Sequence, residues 1–319
     1  MTINQKKKYL IIGTGALGGF YGAKLANAGF DVHFLIRSDY NYIKSHGLRV
    51  KSAAGNIVID STNCYKNASD MPKGDVILIA TKAFSNNQLK ELIQPVLKDS
   101  SAVVLLQNGL GGEDYLADFI NNTQIFGGLS IVAVSRDAPG LIHHHDFGSI
   151  KIGQFNPDGL PRKTTQVLQD IVYDFIRAGV KATAVSDLMQ ARWEKLAWNI
   201  PFCGLSVILD ADTKKIVSDQ NTLSLCAEII KDVATAAASC GKIIPDDFQR
   251  QMIDITIKMG PYFPSMKQDF DAGKPMEVEA IFGNPLQAAQ SSGYFPPYIS
   301  MLYHLLKFME HERKGSTIT

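Results

Sequence analysis

The sequence predicts a two-part chain, an α/β N-terminal half with strands of parallel-sheet type followed by an all-helical C-terminal half. Three observations predict it. A G-x-G-x-x-G turn (Gly13-Thr14-Gly15-Ala16-Leu17-Gly18) follows an apolar run at residues 9–12 and opens a helical pattern. Short apolar runs then alternate with helical patterns as far as residue 185, the order that builds a parallel sheet. From Ser186 onward the apolar period is helical almost throughout.

Residues 9–12 form a short buried strand, and the helix after the glycine turn runs through Ala28 and closes at Gly29. Residues 31–36 make the second strand. Residues 48–60 read as two short strands joined at Ala54-Gly55-Asn56. Residues 75–80 and 102–106 are continuous apolar runs, as expected of strands covered on both faces. Helical patterns near 86–97 and 112–120 follow them, then strand-like segments at 124–134 and 149–153, a helix at 162–178 and a last strand at 181–185. The helical half reads as 187–200, 221–240, 246–259, 275–291 and 296–311. Ser186-Asp187 is a helix-start signal, so the expected domains are residues 1–185 and 186–319. The last residues, 314–319, are expected to fray.

The glycine turn carries chemistry because of where it sits. Gly13 permits a tight turn after the strand, Gly15 lets a pyrophosphate approach the backbone, and Gly18 lets the helix pack on the sheet. The helix N-terminus presents free N–H groups and the positive end of its dipole to phosphates. The implied fold is a Rossmann-type dinucleotide-binding domain. At the end of the second strand, where an acidic residue usually takes the ribose hydroxyls of NAD, stands Arg37 followed by Ser38. An arginine suits a 2′-phosphate, so NADP(H) is the expected cofactor. Asp39 is the alternative, as an acidic ribose partner for NAD.

Bulk properties exclude other classes. Lys plus Arg total 32 against 31 Asp plus Glu, a net charge of +1, so no global field calls for nucleic acid or an anionic membrane. The four cysteines, Cys64, Cys203, Cys226 and Cys240, form no C-x-x-C pair and no disulfide framework, which suits a reducing cytoplasm. Lys6-Lys7-Lys8 and the following apolar run imitate a secretion signal, with Ala26-Asn27-Ala28 as its cleavage site. Gly13, Gly15, Gly18 and Gly19 inside the run, and Lys24 after it, argue against that reading. No stretch reaches the roughly 18 apolar residues of a membrane span.

Further short motifs fall in a fixed order: Thr81-Lys82-Ala83 after one strand, Gln107-Asn108-Gly109-Leu110-Gly111 after the next, Ala191-Arg192-Trp193-Glu194-Lys195-Leu196-Ala197-Trp198-Asn199 opening the helical half, then Pro264-Ser265-Met266-Lys267-Gln268-Asp269 and Met276-Glu277-Val278-Glu279-Ala280. In this order the chain resembles the ketopantoate reductase (2-dehydropantoate 2-reductase) family over nearly its whole length. The resemblance implies an all-helical C-terminal domain of the 6-phosphogluconate dehydrogenase C-terminal-like type, for substrate and dimerisation. It implies NADPH-dependent reduction of ketopantoate to pantoate, a step of pantothenate and coenzyme A biosynthesis. It implies Lys195 as general acid, Asn199 and Ser265 as substrate contacts, and Glu277 as a residue that organises the site and touches the cofactor. It also places Lys82 and Asn108 near the nicotinamide ribose and the reacting centre, and Ala133 at the nicotinamide end. Lys195 and Asn199 are four residues apart and share a helix face. Their apolar surroundings are expected to lower the lysine pKa, with Glu277 opposing. Glu277 and Glu279, two apart, are expected to point to different sides, one of them a surface charge. Ser265 has an alternative reading as an N-cap.

Three positions depart from the family pattern. Cys203 stands on the substrate side where a second asparagine is usual, Thr213 replaces another substrate-side asparagine, and Tyr262 stands where a polar side chain is common. The alternatives are therefore a paralogous NADPH-dependent reductase of another 2-oxo acid, with a bulkier or more apolar tail, and a non-catalytic NADP(H)-binding sensor. The expected partners are a small 2-oxo acid and, by analogy, a second copy in a homodimer. No metal is expected: His143-His144-His145 reads as a polar loop before a strand starting near Gly148, and three consecutive strand residues alternate faces.

Overall fold

The computed structural model describes residues 7–59 and 63–315, the last two without their side chains. Lys6, residue 60 at the end of the expected second short strand, and residues 316–319 of the expected frayed end lie outside the described residues. The chain divides into two compact units, residues 1–107 with 112–188, and residues 108–111 with 189–319. The division falls after Leu188, where the sequence suggested 185/186, and the second unit takes in the four-residue loop Asn108–Gly111.

The first unit is built on a sheet of ten strands: β1 (Lys8–Ile12), β2 (Asp31–Leu35), β3 (Leu48–Ser52), β4 (Ile57–Ile59), β5 (Cys64–Tyr65), β6 (Val76–Ile79), β7 (Ala102–Leu105), β8 (Ile125–Ala138), β9 (Leu141–Gln154) and β10 (Ala182–Val185). Its order is β4-β3-β9-β8-β7-β6-β1-β2-β5, with β10 beside β9. From β8 to β5 the neighbours are parallel. That run is the doubly wound arrangement, with its switch of direction between β1 and β6, where such sheets bind ligands. Helices α1 (Ala16–Asn27), α2 (Tyr40–His46), α3 (Leu89–Ile93), α4 (Gly112–Ala117) and α5 (Gln166–Arg177) complete the unit. β1 and β6 are buried almost end to end, which is why both read as continuous apolar runs.

Two expectations need correction. The helix expected at 86–97 is a 3-10 turn at Ala83–Gln88, one turn of α3 and a second 3-10 turn at Gln94–Val96. Pro95 lacks the N–H an α-helix needs there. The strand segments expected at 124–134 and 149–153 are far longer. β8 and β9 form one antiparallel hairpin of 14-residue strands that turns at Pro139-Gly140. The three histidines therefore lie inside β9, not in a loop.

The second unit is helical, as expected: α6 (Leu188–Ile208), α7 (Thr213–Ser218), α8 (Gln220–Ser239), α9 (Asp246–Lys258), α10 (Ser265–Asp271), α11 (Asn284–Ser291) and α12 (Pro297–Gly315). The helix expected from 275 instead begins with a π-helical turn, Glu279–Gly283, that runs into α11. Buried Asp232 on α8 organises this unit, accepting bonds from Tyr294 Oη (2.7 Å) and from the backbone N–H groups of Tyr298 (2.9 Å) and Ile299 (3.0 Å) at the start of α12. Those N–H groups are the ones a helix start leaves without internal partners. Among the described residues no helix is long and apolar enough to cross a membrane.

Candidate active site

In the first unit the fingerprint turn is held by sterics. Gly13 has φ +95, and a Cβ there would lie 2.7 Å from the Thr81 backbone nitrogen, beyond the end of β6. A Cβ on Gly18 would lie 2.3 Å from the Gly13 carbonyl oxygen and 2.9 Å from Ala80 Cβ, so this glycine closes the helix onto the sheet. Gly15 differs, because a Cβ there meets nothing within 4 Å. The protein itself does not need Gly15 to be small; the space in front of it suits a pyrophosphate. Gly15 is also the N-cap of α1 and supplies no side-chain acceptor, so the first N–H groups of the helix keep their donors for a ligand. Thr14 donates its hydroxyl to the Leu35 carbonyl (2.9 Å), tying the turn to the end of β2. Ala16 and Leu17 begin the helix, half-buried. These residues fit a dinucleotide.

At the end of β2, Arg37 is exposed. Asp39 is engaged: Arg136 of β8 bonds both of its carboxylate oxygens at 3.3 Å and the Ser38 hydroxyl at 3.1 Å, and the Gly140 N–H donates to it. Arg136 was not visible as a site residue in the sequence, because it lies nearly a hundred positions from the strand end it touches. Lys82 is the N-cap of the 3-10 turn after β6 and is half-buried, while Ala133 is buried in β8. Buried Gln107 donates to Asn86 (2.7 Å) and Thr81 (3.3 Å), fixing the loops after β6 and β7 to each other.

In the second unit Lys195, Asn199 and Cys203 succeed one another at intervals of four on α6 and so share one face. Asn199 and Cys203 are buried, and Lys195 as a whole residue is half-buried. Its ammonium is nevertheless strongly desolvated. That desolvation, with a smaller push from buried Arg192 one turn earlier, lowers its pKa to about 8 against opposing pulls from Glu277 and Cys203. Pro201 lies inside the same helix and provides no N–H for the Ala197 carbonyl four residues before it. Trp198 turns elsewhere, donating to Thr256 (2.9 Å) and lying tilted beside the rings of Phe202 and Tyr262. Thr213 is fully buried, its N–H bonded to the Tyr262 carbonyl (3.0 Å) and its hydroxyl without a hydrogen-bond partner among the described residues.

Glu277 is buried and accepts a long hydrogen bond from Asn108 (3.4 Å), whereas Glu279 is exposed and bonded to Tyr303 and Lys307. The expected division of the two carboxylates is thus present. The loop carrying Asn108 is clamped onto the π-helical turn. Leu110 N–H donates to the Ala280 carbonyl (2.9 Å) and Asn284 Nδ2 donates to the Leu110 carbonyl (2.7 Å). A Cβ on Gly109, at φ +82, would lie 2.0 Å from that same Ala280 oxygen. The π-turn shifts the helix hydrogen bonds by one residue, a deviation frequent at functional sites, and here the Ala280 carbonyl takes a loop N–H as partner. Ser265 is exposed at the first position of α10, and the cap is Pro264, so Ser265 is not the N-cap. It makes no hydrogen bond to the Lys195 group among the described residues. Lys267 beside it is buried and bridges Asp210 (2.7 Å) and Asp271.

Comparison with known proteins agrees with this construction. Residues 9–157 match the family model described as ketopantoate reductase PanE/ApbA, and residues 187–310 match its C-terminal counterpart. The chain is 43% identical, over 99% of both lengths, to a 2-dehydropantoate 2-reductase of Nostoc sp. strain PCC 7120. The crystal structure of 2-dehydropantoate 2-reductase from Geobacter metallireducens superposes with a TM-score of 0.90 at 36% identity, covering 94% of this chain and 99% of that one. A D-mandelate dehydrogenase solved with NADH and anilino(oxo)acetate shares the fold, with a TM-score of 0.86 at 22% identity over 96% of this chain and 99% of that one. A glycine turn shaped for a dinucleotide and a desolvated lysine on a helical unit thus go with matches along nearly the whole length, and the chain belongs to the ketopantoate reductase family of nicotinamide dinucleotide-dependent oxidoreductases.

Proposed function

We propose that the chain reduces ketopantoate to pantoate with NADPH, in a reducing cytoplasm that suits its four free cysteines. The observation that carries the reading is Lys195, with a pKa lowered to about 8 in a family of reductases. Reducing a ketone places negative charge on the former carbonyl oxygen, and a proton must meet it. At pH 7 a lysine of this pKa is about nine-tenths protonated, yet gives up its proton far more readily than a solvated lysine. The dinucleotide, when bound, supplies the hydride. Lys195 Nζ donates to the developing alkoxide and is reprotonated from solvent. Asn199, on the same helix face, and Asn108, oriented by Glu277, offer amide donors to the substrate, and Ser265 offers its hydroxyl to the carboxylate. Glu277 also pulls against desolvation, which keeps the lysine charged at neutral pH.

The preference for NADPH rests on the end of β2. Asp39, the candidate ribose acid, is taken up by Arg136 and the Gly140 N–H, while Arg37 is exposed. The strand end thus presents guanidinium charge, as a 2′-phosphate requires. Lys82 and Ala133 are assigned to the nicotinamide side by family resemblance.

A second reading is favoured by Cys203 and Thr213. Buried Cys203 sits on the Lys195 face of α6 where an amide would donate and accept, and a thiol does both weakly. The substrate is then another branched 2-oxo acid with a more apolar tail. A homodimer belongs to the same proposal: Met301, Leu305 and Phe308 of α12 are exposed at helical spacing. NADPH oxidation with ketopantoate beside a panel of branched 2-oxo acids, and an NADH control, tests the assignment. Selective turnover of ketopantoate with NADPH is expected. Equal efficiency across the panel supports the second reading, and tight NADPH binding without oxidation of any member overturns both in favour of a sensor.

A further inference from the structure

The β8–β9 hairpin carries a group of side chains that the reductase chemistry does not use. His143 and His145, two apart on β9, lie with their ring centroids 4.1 Å apart. His144 points the other way, packed on Phe20 at 4.5 Å between centroids and bonded to the Ser52 hydroxyl (2.8 Å). Across the hairpin, Asp137 Oδ2 lies 3.2 Å from His143 Nδ1. Ser135 stands between the remaining members, its hydroxyl against Asp137 Oδ1 (2.5 Å) and His145 Nε2 (2.8 Å).

Two irregularities in the ladder fall at these residues. Opposite Arg136 and Ala138 stand Ile142 and Leu141, so Asp137 is an extra residue on β8. Opposite Ala133 and Val134 stand Asp146 and His144, so His145 is an extra residue on β9. His143 pairs in register with Ser135. Bulges locally re-aim side chains, and Asp137 and His145 are the residues that these two add.

We propose that Asp137, His143 and His145 form a binding site for a divalent transition-metal ion of the zinc class, separate from the reductase chemistry. One ligand atom from each residue lies within 4.8 Å of the other two. A tetrahedral ion with bonds of about 2.0–2.2 Å needs its ligands roughly 3.5 Å apart. The side chains are half-buried or exposed, so small rotations close that gap without moving the backbone. Two imidazoles and one carboxylate suit Zn²⁺, Cu²⁺ and Ni²⁺ better than Mg²⁺ or Ca²⁺. Three protein ligands leave a fourth position for water, and Ser135 is placed to hold the ligand side chains.

The test uses the full-length chain without a histidine tag, stripped of metal with a chelator. Zn²⁺ is titrated in competition with a chromogenic chelator, and Cu²⁺ is followed by electron paramagnetic resonance. The wild type is expected to take up one Zn²⁺ with a dissociation constant in the micromolar range or below, and its Cu²⁺ spectrum to show two imidazole nitrogens. His143→Ala and His145→Gln are each expected to weaken Zn²⁺ binding at least tenfold, and Asp137→Asn by a smaller factor. His144→Gln, on the opposite face, keeps wild-type affinity. Circular dichroism of the metal-free variants shows that they are folded. No competition for Zn²⁺ by the wild type, or unchanged affinity in both His143→Ala and His145→Gln, overturns the proposal.

Discussion

The glycine turn of the first unit and the lysine face of the second are shaped by different means. At the turn the backbone is the instrument. Gly13 and Gly18 are glycine because a methyl group would strike backbone or neighbouring side-chain atoms within 3 Å, and the N–H groups of α1 are left open. On α6 the side chains are the instrument. Lys195 is an ordinary residue whose acidity is set by what packs around it, with desolvation and Arg192 pulling one way and Glu277 and Cys203 the other. Backbone devices leave a mark in a short stretch of sequence. Electrostatic tuning is assembled from Arg192, Lys195, Cys203 and Glu277, spread over more than eighty positions, and leaves no local mark.

That contrast can be broken at its strongest point. Replacing Lys195 by Ala should lower turnover by roughly 10²–10⁴-fold, the range for a positioned acid, with NADPH affinity changed little. Turnover within a few-fold of wild type would remove Lys195 from the chemistry. The next largest effect separates two glycines of one motif. Gly18→Ala should destabilise the fold by about 1–3 kcal/mol through overpacking, read from the denaturation midpoint. Gly15→Ala should cost about 1 kcal/mol or less, as a weaker cap, while weakening the dinucleotide at least tenfold in fluorescence titration. Equal losses of stability in the two variants would contradict the different roles given to them. The smallest expected effect concerns the cofactor's phosphate. Arg37→Ala should weaken NADPH by about tenfold or more, one charge-assisted contact, and leave NADH nearly unchanged. Parallel losses for both cofactors would return the ribose assignment to Asp39.

Much of the fold was legible because its signals are local. The buried strands β1, β6 and β7 show as apolar runs, and the helices of the second unit show their period. The β8–β9 hairpin was not, because Ser135, Arg136, Asp137 and the three histidines belong to exposed or bulged strand, where no apolar alternation survives. The split of the helix near Pro95 was marked by the proline itself. The π-helical turn at Glu279–Gly283 was invisible, since the partner of its Ala280 carbonyl, the Leu110 N–H, lies far away in the sequence. At the candidate site, Gly13, Gly15 and Gly18 followed from the motif alone. Lys195, Asn199 and Glu277 needed the family resemblance to be singled out from other charged and amide residues. Arg136 and Arg192 were found only in three dimensions. The share of Glu277 and Glu279 between interior and surface followed from their spacing, and Ser265 is exposed at a helix start rather than capping it.

We propose that the second unit tunes Lys195 to deliver a proton near neutral pH. The direct measurement is the single-turnover rate of ketone reduction, with NADPH already bound, from about pH 6 to pH 10 in wild type and Lys195→Ala. An acid must be protonated to act, and burial has moved the point of deprotonation down to about 8. The wild-type rate should therefore be level below that pH and fall about tenfold per unit above it. In Lys195→Ala the rate should be low, with that limb absent. A wild-type rate level to about pH 10, where an unperturbed lysine titrates, or the same limb in Lys195→Ala, would contradict the account.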